Sequence, residues 1–261
     1  MIDLLLVRSN PLIRIMLCFD QFLMILIIPL FICEIGTLSF CLENIQVNFE
    51  GKVPESQIIQ AKHMIVHELG HILGIHVELF KFFRDSFGNP LTQRPFNLTM
   101  AECVDGERRP VIMPSCSTLR LHKEITGLAY YEVVTPTVRQ VVRNHFDCQV
   151  LRGARLENQP KSKMNCFGTN WDQRLFLMEA MSSPALATDF YLSPLSLALL
   201  EDSGWYHVNY TSHHVKTNPF GHGAGCDFVV KPCLLERGLT VPRYSKNYFC
   251  NDPLKFTSLG K

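Results

Sequence analysis

Val66-His67-Glu68-Leu69-Gly70-His71-Ile72-Leu73-Gly74 sets two histidines four residues apart around a glutamate, at the end of an amphipathic pattern. Apolar residues at Ile58, Ala61, Ile65, Leu69 and Ile72 recur every three or four positions, which predicts a helix with one core-facing stripe about 100° wide. Gly74 stands where such a helix stops. On that helix His67 and His71 lie about 40° apart on one face, one turn along, directed away from the Ile65, Leu69 and Ile72 stripe. Both imidazoles can then reach a single zinc ion, about 2.0–2.1 Å from each nitrogen. Glu68, rotated about 100° from His67, can accept a proton from water at the metal without binding the metal itself. A helix that ends at Gly74 frees the chain to bring a third ligand from elsewhere, with the fourth position left for water.

Two further histidines lie near this run. His63 continues the line of the pair but sits about 12 Å along the axis from His71, too far to share one ion. His76 follows His71 by five residues, one short of the spacing H-E-x-x-H-x-x-G-x-x-H, whose last position here is Val77. Both read as surface or core histidines.

The chain around this motif has 261 residues, 47% hydrophobic and 19% charged, which places it among folded globular proteins. Its 25 basic and 24 acidic residues form no long run of either sign, so it lacks the footprint of a phosphate-tracking protein, and nucleic acid is excluded as a partner. Ten cysteines, none in C-x-x-C pairs, read as disulfides rather than structural zinc sites. The sequons Asn97-Leu98-Thr99 and Asn209-Tyr210-Thr211 point to the same oxidising compartment, so the secretory pathway is expected, with an extracellular or membrane-associated product.

Phe22 to Cys33 is uninterrupted apolar sequence preceded by Arg8 and Arg14. That length suits a signal-peptide core better than a bilayer span of about 20 residues, and extending it back to Ile15 takes in Asp20 and Gln21. Residues 1–36 are accordingly assigned as a signal peptide or signal-anchor-like leader, through which the chain could associate with a membrane, and residues 37–261 as the domain proper. Within it, residues 37–49 alternate as one strand, while 86–90 and 93–95 read as surface turns. Helices are expected over 137–145, behind Pro136, and over 193–203, with Pro194 in the first turn and Gly204 at the stop. The sum is an irregular α+β domain with long loops held by disulfides.

Seven segments in order, HELGHILG at 67–74, LFKFFRDSFGNPLTQR at 79–94, HFDC at 145–148, GARLENQ at 153–159, NWDQRLFLMEAM at 170–181, LALLEDSGWY at 197–206 and GCDF at 225–228, resemble the leishmanolysin-like metallopeptidases, also called invadolysins. The resemblance runs from about Phe40 to Cys233. It implies a metzincin-like zinc metalloprotease domain, with a long insertion before the third histidine, that hydrolyses peptide bonds in proteins. His67 and His71 would be metal ligands, Glu68 the catalytic base and Zn2+ the cofactor, one per chain. It also implies a short N-terminal part and an incomplete C-terminal cysteine-rich part.

In that family the segment matching 170–181 opens with a histidine before tryptophan, and that histidine is the third zinc ligand. Here Asn170 precedes Trp171. Met181 matches the methionine of the Met-turn beneath the metal. His145 and Cys148 match non-ligand positions, the cysteine implied to be in a disulfide. An asparagine carbonyl lies outside the usual Cys, His and carboxylate set for zinc. His145, Cys166 and Asp172 could substitute, and no sequence feature places any of them over the helix.

Three functional readings follow. The first is a zinc endopeptidase acting on protein or peptide substrates. The second is a catalytically impaired homologue, with Asn170 in place of the third ligand, acting as an adhesion or binding protein. The third is a membrane-anchored structural protein, which rests on the N-terminal apolar stretch alone.

Overall fold

The pattern that ends at Gly74 folds as α1, Glu55–Leu73, in the computed structural model of the chain. The structure describes residues 5–7, 49, 51–123, 129–158, 166–182, 191–235 and 240–249. The leader assigned to 1–36, apart from 5–7, and the strand expected over 37–49, apart from Phe49, lie outside the described residues.

α1 is closed by a Schellman-type turn. Ile75 N–H donates to Gly70 O at 2.9 Å and Gly74 N–H to His71 O at 3.2 Å. Gly74 sits at φ 135°, a conformation that favours glycine. The enclosed side of α1 corrects the expectation from the stripe. His67 and Gly70 are its buried residues, whereas Ala61, Ile65, Leu69 and Ile72 are half-buried and Ile58 is 42% exposed. Periodicity shows that a helix has an apolar side, but what packs on it decides which side is inside. Here the turn carrying Met181 lies against Gly70, on the histidine side.

Beyond α1, a 3-10 turn at Val77–Phe82 leads to an antiparallel hairpin of β2, Leu98–Glu102, and β3, Arg108–Ile112. An antiparallel sheet follows, in the order β4, Leu119–Lys123, β5, Ala129–Val133, and β6, Ala154–Arg155. At the other end of the chain β1, Leu5–Val7, pairs antiparallel with β7, Tyr206–Val208. Helix and sheet segregate as an α+β arrangement, with every paired strand antiparallel among the described residues.

Two helices form the centre of the core. In α2, Pro136–Phe146, the buried residues Val138, Val142 and Phe146 recur every fourth position. α4, Pro194–Asp202, is buried along its whole length from Leu195 to Leu200, as a helix inside a core must be. Both begin with proline at the first turn, as expected from sequence. The N-terminus of α2 is capped from its neighbour: Asp202 Oδ2 accepts from the N–H groups of Thr137 at 2.9 Å and Val138 at 3.0 Å.

Disulfides fasten the periphery to this centre. Cys148–Cys226 joins the end of α2 to α5, Gly225–Val230, and Cys103–Cys166 joins the end of β2 to the segment that leads into Trp171. The expected bonding of Cys148 is thus seen. Asn97 and Asn209, the sequon asparagines, are both exposed. Among the described residues no helix is long and apolar enough to cross a membrane.

Candidate metal centre

His67 and His71 present their Nε2 atoms to each other at 3.1 Å, with the rings nearly perpendicular. The opposite nitrogen of each ring is occupied. His67 Nδ1 lies 2.8 Å from Ala180 O, and His71 Nδ1 lies 2.7 Å from Ile75 O. A carbonyl oxygen can only accept, so both Nδ1 atoms carry the proton. In the neutral rings both Nε2 atoms then hold lone pairs, and their approach is a convergence of two acceptors rather than a hydrogen bond. Two nitrogens about 2.0–2.1 Å from one tetrahedral ion are separated by roughly 3.3 Å, so the observed gap fits a shared cation.

Each backbone carbonyl in this arrangement has a local cause. The turn at Gly74 folds the chain back, and with it the Ile75 carbonyl comes onto the His71 ring. The Ala180 carbonyl belongs to a turn held by three contacts. Trp171 N–H donates to Met181 O at 2.9 Å, Ala180 N–H to Tyr191 O at 2.8 Å, and Ser182 Oγ to Trp171 O at 3.1 Å. Met181 is buried, and a methyl group on Gly70 would overlap its thioether, so glycine is what allows the helix and turn to meet.

Burial lowers the pKa of both imidazoles from 6.5. The hydrogen bonds to Ala180 and Ile75 and the negative charges of Glu68 and Glu157 act in the opposite sense. The net effect keeps the rings neutral, as metal ligation requires. Glu68, half-buried on α1 between His67 and Leu69, is thus close enough for its charge to act on both.

Asn170 precedes Trp171, whose N–H bonds the Met181 carbonyl of the turn against α1. Asn170 Nδ2 donates to Glu157 Oε1 at 3.1 Å, while its Oδ1 is buried with no hydrogen-bond partner among the described residues. The three side chains considered as substitutes are occupied elsewhere. Cys166 is bonded to Cys103, and His145 Nε2 lies 3.0 Å from Phe220 O. Asp172 caps the short helix α3, Gln173–Phe176, and pairs with Arg155 at 3.6 Å. His76 accepts from Glu78 N–H at 3.3 Å at the head of the 3-10 turn, and its ring lies 5.9 Å from that of His71. No set of three or more His, Cys, Asp or Glu side chains converges on an ion site among the described residues.

Sequence reasoning did not find the Ile75 and Ala180 carbonyls or Glu157. Ile75 had a signal, since it is the residue that follows the helix-stopping glycine. The other two are brought in by contacts more than 80 positions away, on which local spacing is silent.

The family model described as Leishmanolysin matches residues 44–257. A leishmanolysin-like peptidase of Caenorhabditis elegans is 36% identical over 180 residues, 65% of this chain and 26% of that protein. One of Drosophila melanogaster is 34% identical over 179 residues, 65% of this chain and 25% of its own length. The ciliated left-right organizer metallopeptidase of Mus musculus is 28% identical over 201 residues, 76% of this chain and 24% of that protein. The chain spans about a quarter of the length of these relatives. With the match covering most of the chain and including the histidine helix and the Trp171 to Met181 turn that supports it, the chain belongs to the leishmanolysin family of metallopeptidases.

Proposed function

We propose that this chain is a zinc-dependent endopeptidase domain of the metzincin type, with His67 and His71 as metal ligands and Glu68 as the general base. The observation that carries the reading is the convergence of two unprotonated Nε2 atoms at 3.1 Å, each fixed by a backbone carbonyl on the far side of its ring. When bound, zinc supplies Lewis-acid activation of water and of the scissile carbonyl. The carboxylate of Glu68 takes a proton from the attacking water and passes it to the departing amine nitrogen, which leaves as a neutral amine. The Ala180 and Ile75 carbonyls hold both rings in the one tautomer that leaves Nε2 available. Protein or peptide substrates are the partners, and two disulfides with exposed sequon asparagines support a secretory location.

The test is zinc content together with cleavage of a generic unstructured protein. Glu68→Gln is expected to keep its zinc and lose turnover by about 10²–10⁴-fold, the usual worth of a positioned base. His67→Ala is expected to lose both. If wild type and His67→Ala hold the same zinc, the reading fails. Asn170, at the place where the family resemblance implies a histidine, favours a second reading: a catalytically impaired homologue that acts by adhesion or binding. Zinc well below one per chain without cleavage, both restored by Asn170→His, supports that second reading.

A further inference from the structure

Asn170 is one of the residues with a buried side-chain polar atom that has no hydrogen-bond partner among the described residues. A carboxamide has two ends of opposite character, and which end faces which neighbour follows from the partners. Glu157 Oε1 accepts from Thr169 N–H, Thr169 Oγ, Asn170 N–H and Asn170 Nδ2, at 3.1–3.3 Å. A carboxylate oxygen so surrounded can only accept, so the end of the amide facing it is the NH2. The carbonyl end is thereby turned to the other side, where it is buried and finds no donor among the described residues. A buried carbonyl left unsatisfied is destabilising unless something electropositive meets it.

Several contacts tie the segment that carries this carbonyl to the histidine pair. Asn170 precedes Trp171, whose N–H bonds Met181 O, and Met181 adjoins the Ala180 carbonyl that holds His67. Met181 packs on Gly70, one helical turn from His67 and next to His71. Glu157, to which Asn170 is bonded, lies within electrostatic reach of both histidines. No third His, Cys, Asp or Glu converges on the pair among the described residues, while the segment tied to it carries a buried oxygen donor without a hydrogen-bond partner, Asn170 Oδ1.

We propose that Asn170 Oδ1 completes the donor set begun by His67 and His71, and that Glu157 is the positioning residue that turns the carboxamide so that its oxygen, not its nitrogen, is offered to the metal. This rests on the two-histidine reading above and goes beyond it. The Glu157–Asn170 contact then does for the amide what the Ala180 and Ile75 carbonyls do for the imidazoles: it occupies the non-ligating end. It also polarises the carboxamide, since a negative charge accepting from the NH2 group draws electron density toward Oδ1. A neutral oxygen is a poorer zinc donor than imidazole, so the centre binds zinc more weakly than one with three histidines.

The test uses the full 261-residue chain, with zinc affinity from chelator competition and the visible spectrum of the cobalt(II)-substituted protein as readouts independent of turnover. Asn170→His is expected to bind zinc about tenfold or more tighter, which a misfolded variant could not do. Asn170→Ala and Glu157→Gln are each expected to weaken binding by about 10–100-fold and to change the cobalt spectrum. Because Glu157 acts through Asn170, the double variant Asn170→Ala/Glu157→Gln should be no weaker than Asn170→Ala alone. Unchanged affinity and spectrum in Asn170→Ala would overturn the proposal, as would a Glu157→Gln effect that persists undiminished in the Asn170→Ala background, the sign that Glu157 itself ligates. Failure of the underlying reading looks different: wild type would then hold no zinc that His67→Ala removes.

Discussion

Glu179 lies two residues before Met181 with its carboxyl fully enclosed, and burial pushes its pKa from 4.5 up to about 7 despite hydrogen bonds from Ser193 and Ser196. The bond from Ser196 Oγ is 2.5 Å, and Ser196 Oγ in turn accepts from Trp171 Nε1 at 3.1 Å, so this carboxyl anchors the segment that carries Asn170. Between pH 4.5 and 7 the folded chain keeps the Glu179 proton while the unfolded chain has lost it. Its contribution is therefore complete below the lower value and disappears as pH rises through the upper one, a loss of roughly 3 kcal/mol. Glu179→Gln should remove this dependence, so that the variant gains on the wild type between pH 5 and pH 7.5 in urea unfolding. Parallel curves for the two proteins would show that the carboxyl ionises normally. Gly70 carries a second prediction at this scale. Gly70→Ala brings a helix-propensity gain of about 1 kcal/mol against an overpacking cost of about 1–3 kcal/mol at Met181. A net loss in unfolding free energy is expected, relieved in Gly70→Ala/Met181→Ala relative to the sum of the single changes.

At the scale of elements, α2 and α4 depend on each other through more than apolar contact. Asp202, the last residue of α4, supplies the acceptor for the first N–H groups of α2, and Thr135 at the N-cap position of α2 makes no side-chain capping bond. Asp202→Ala should cost about 1–2 kcal/mol, the range for a lost N-cap, and hydrogen exchange should show the loss concentrated in the first turn of α2. Protection unchanged at Thr137 and Val138 would contradict this. The existence of both helices was legible in the sequence, because proline at the first turn, and for α4 the glycine at the stop, are local signals. That α2 borrows its cap from α4 was not legible, since 64 positions separate Asp202 from Val138.

For the molecule as a whole, disulfides replace part of what sheet and helix layers supply in larger cores. The paired strands are short and the core is centred on α2 and α4, while the Cys148–Cys226 and Cys103–Cys166 bonds close loops of 78 and 63 residues. Replacing Cys148 and Cys226 by serine should cost about 2–5 kcal/mol, measured as a shift in the unfolding midpoint between oxidised wild type and variant. An equal midpoint would assign the stability to packing alone. The same cross-links bear on the proposed metal centre, because Cys166 lies four residues before Asn170 and its bond to Cys103 restrains that segment. Reduction should accordingly lower zinc affinity before it unfolds the chain, which a titration in graded reductant would detect.

The sequence by itself determined the helix that ends at Gly74, the pair of histidines on one of its faces with Glu68 between them, and the helices behind Pro136 and Pro194. These follow from backbone geometry within a few residues, which short-range spacing encodes. Only the tertiary structure decided that the histidine face is the buried one, that the Ala180 carbonyl fixes His67, and that Glu157 turns the Asn170 amide. Each of those joins groups beyond the few residues that local spacing relates, from 13 positions for Glu157 and Asn170 to 113 for His67 and Ala180. Such contacts depend on which surfaces exclude water together, and no local periodicity specifies that.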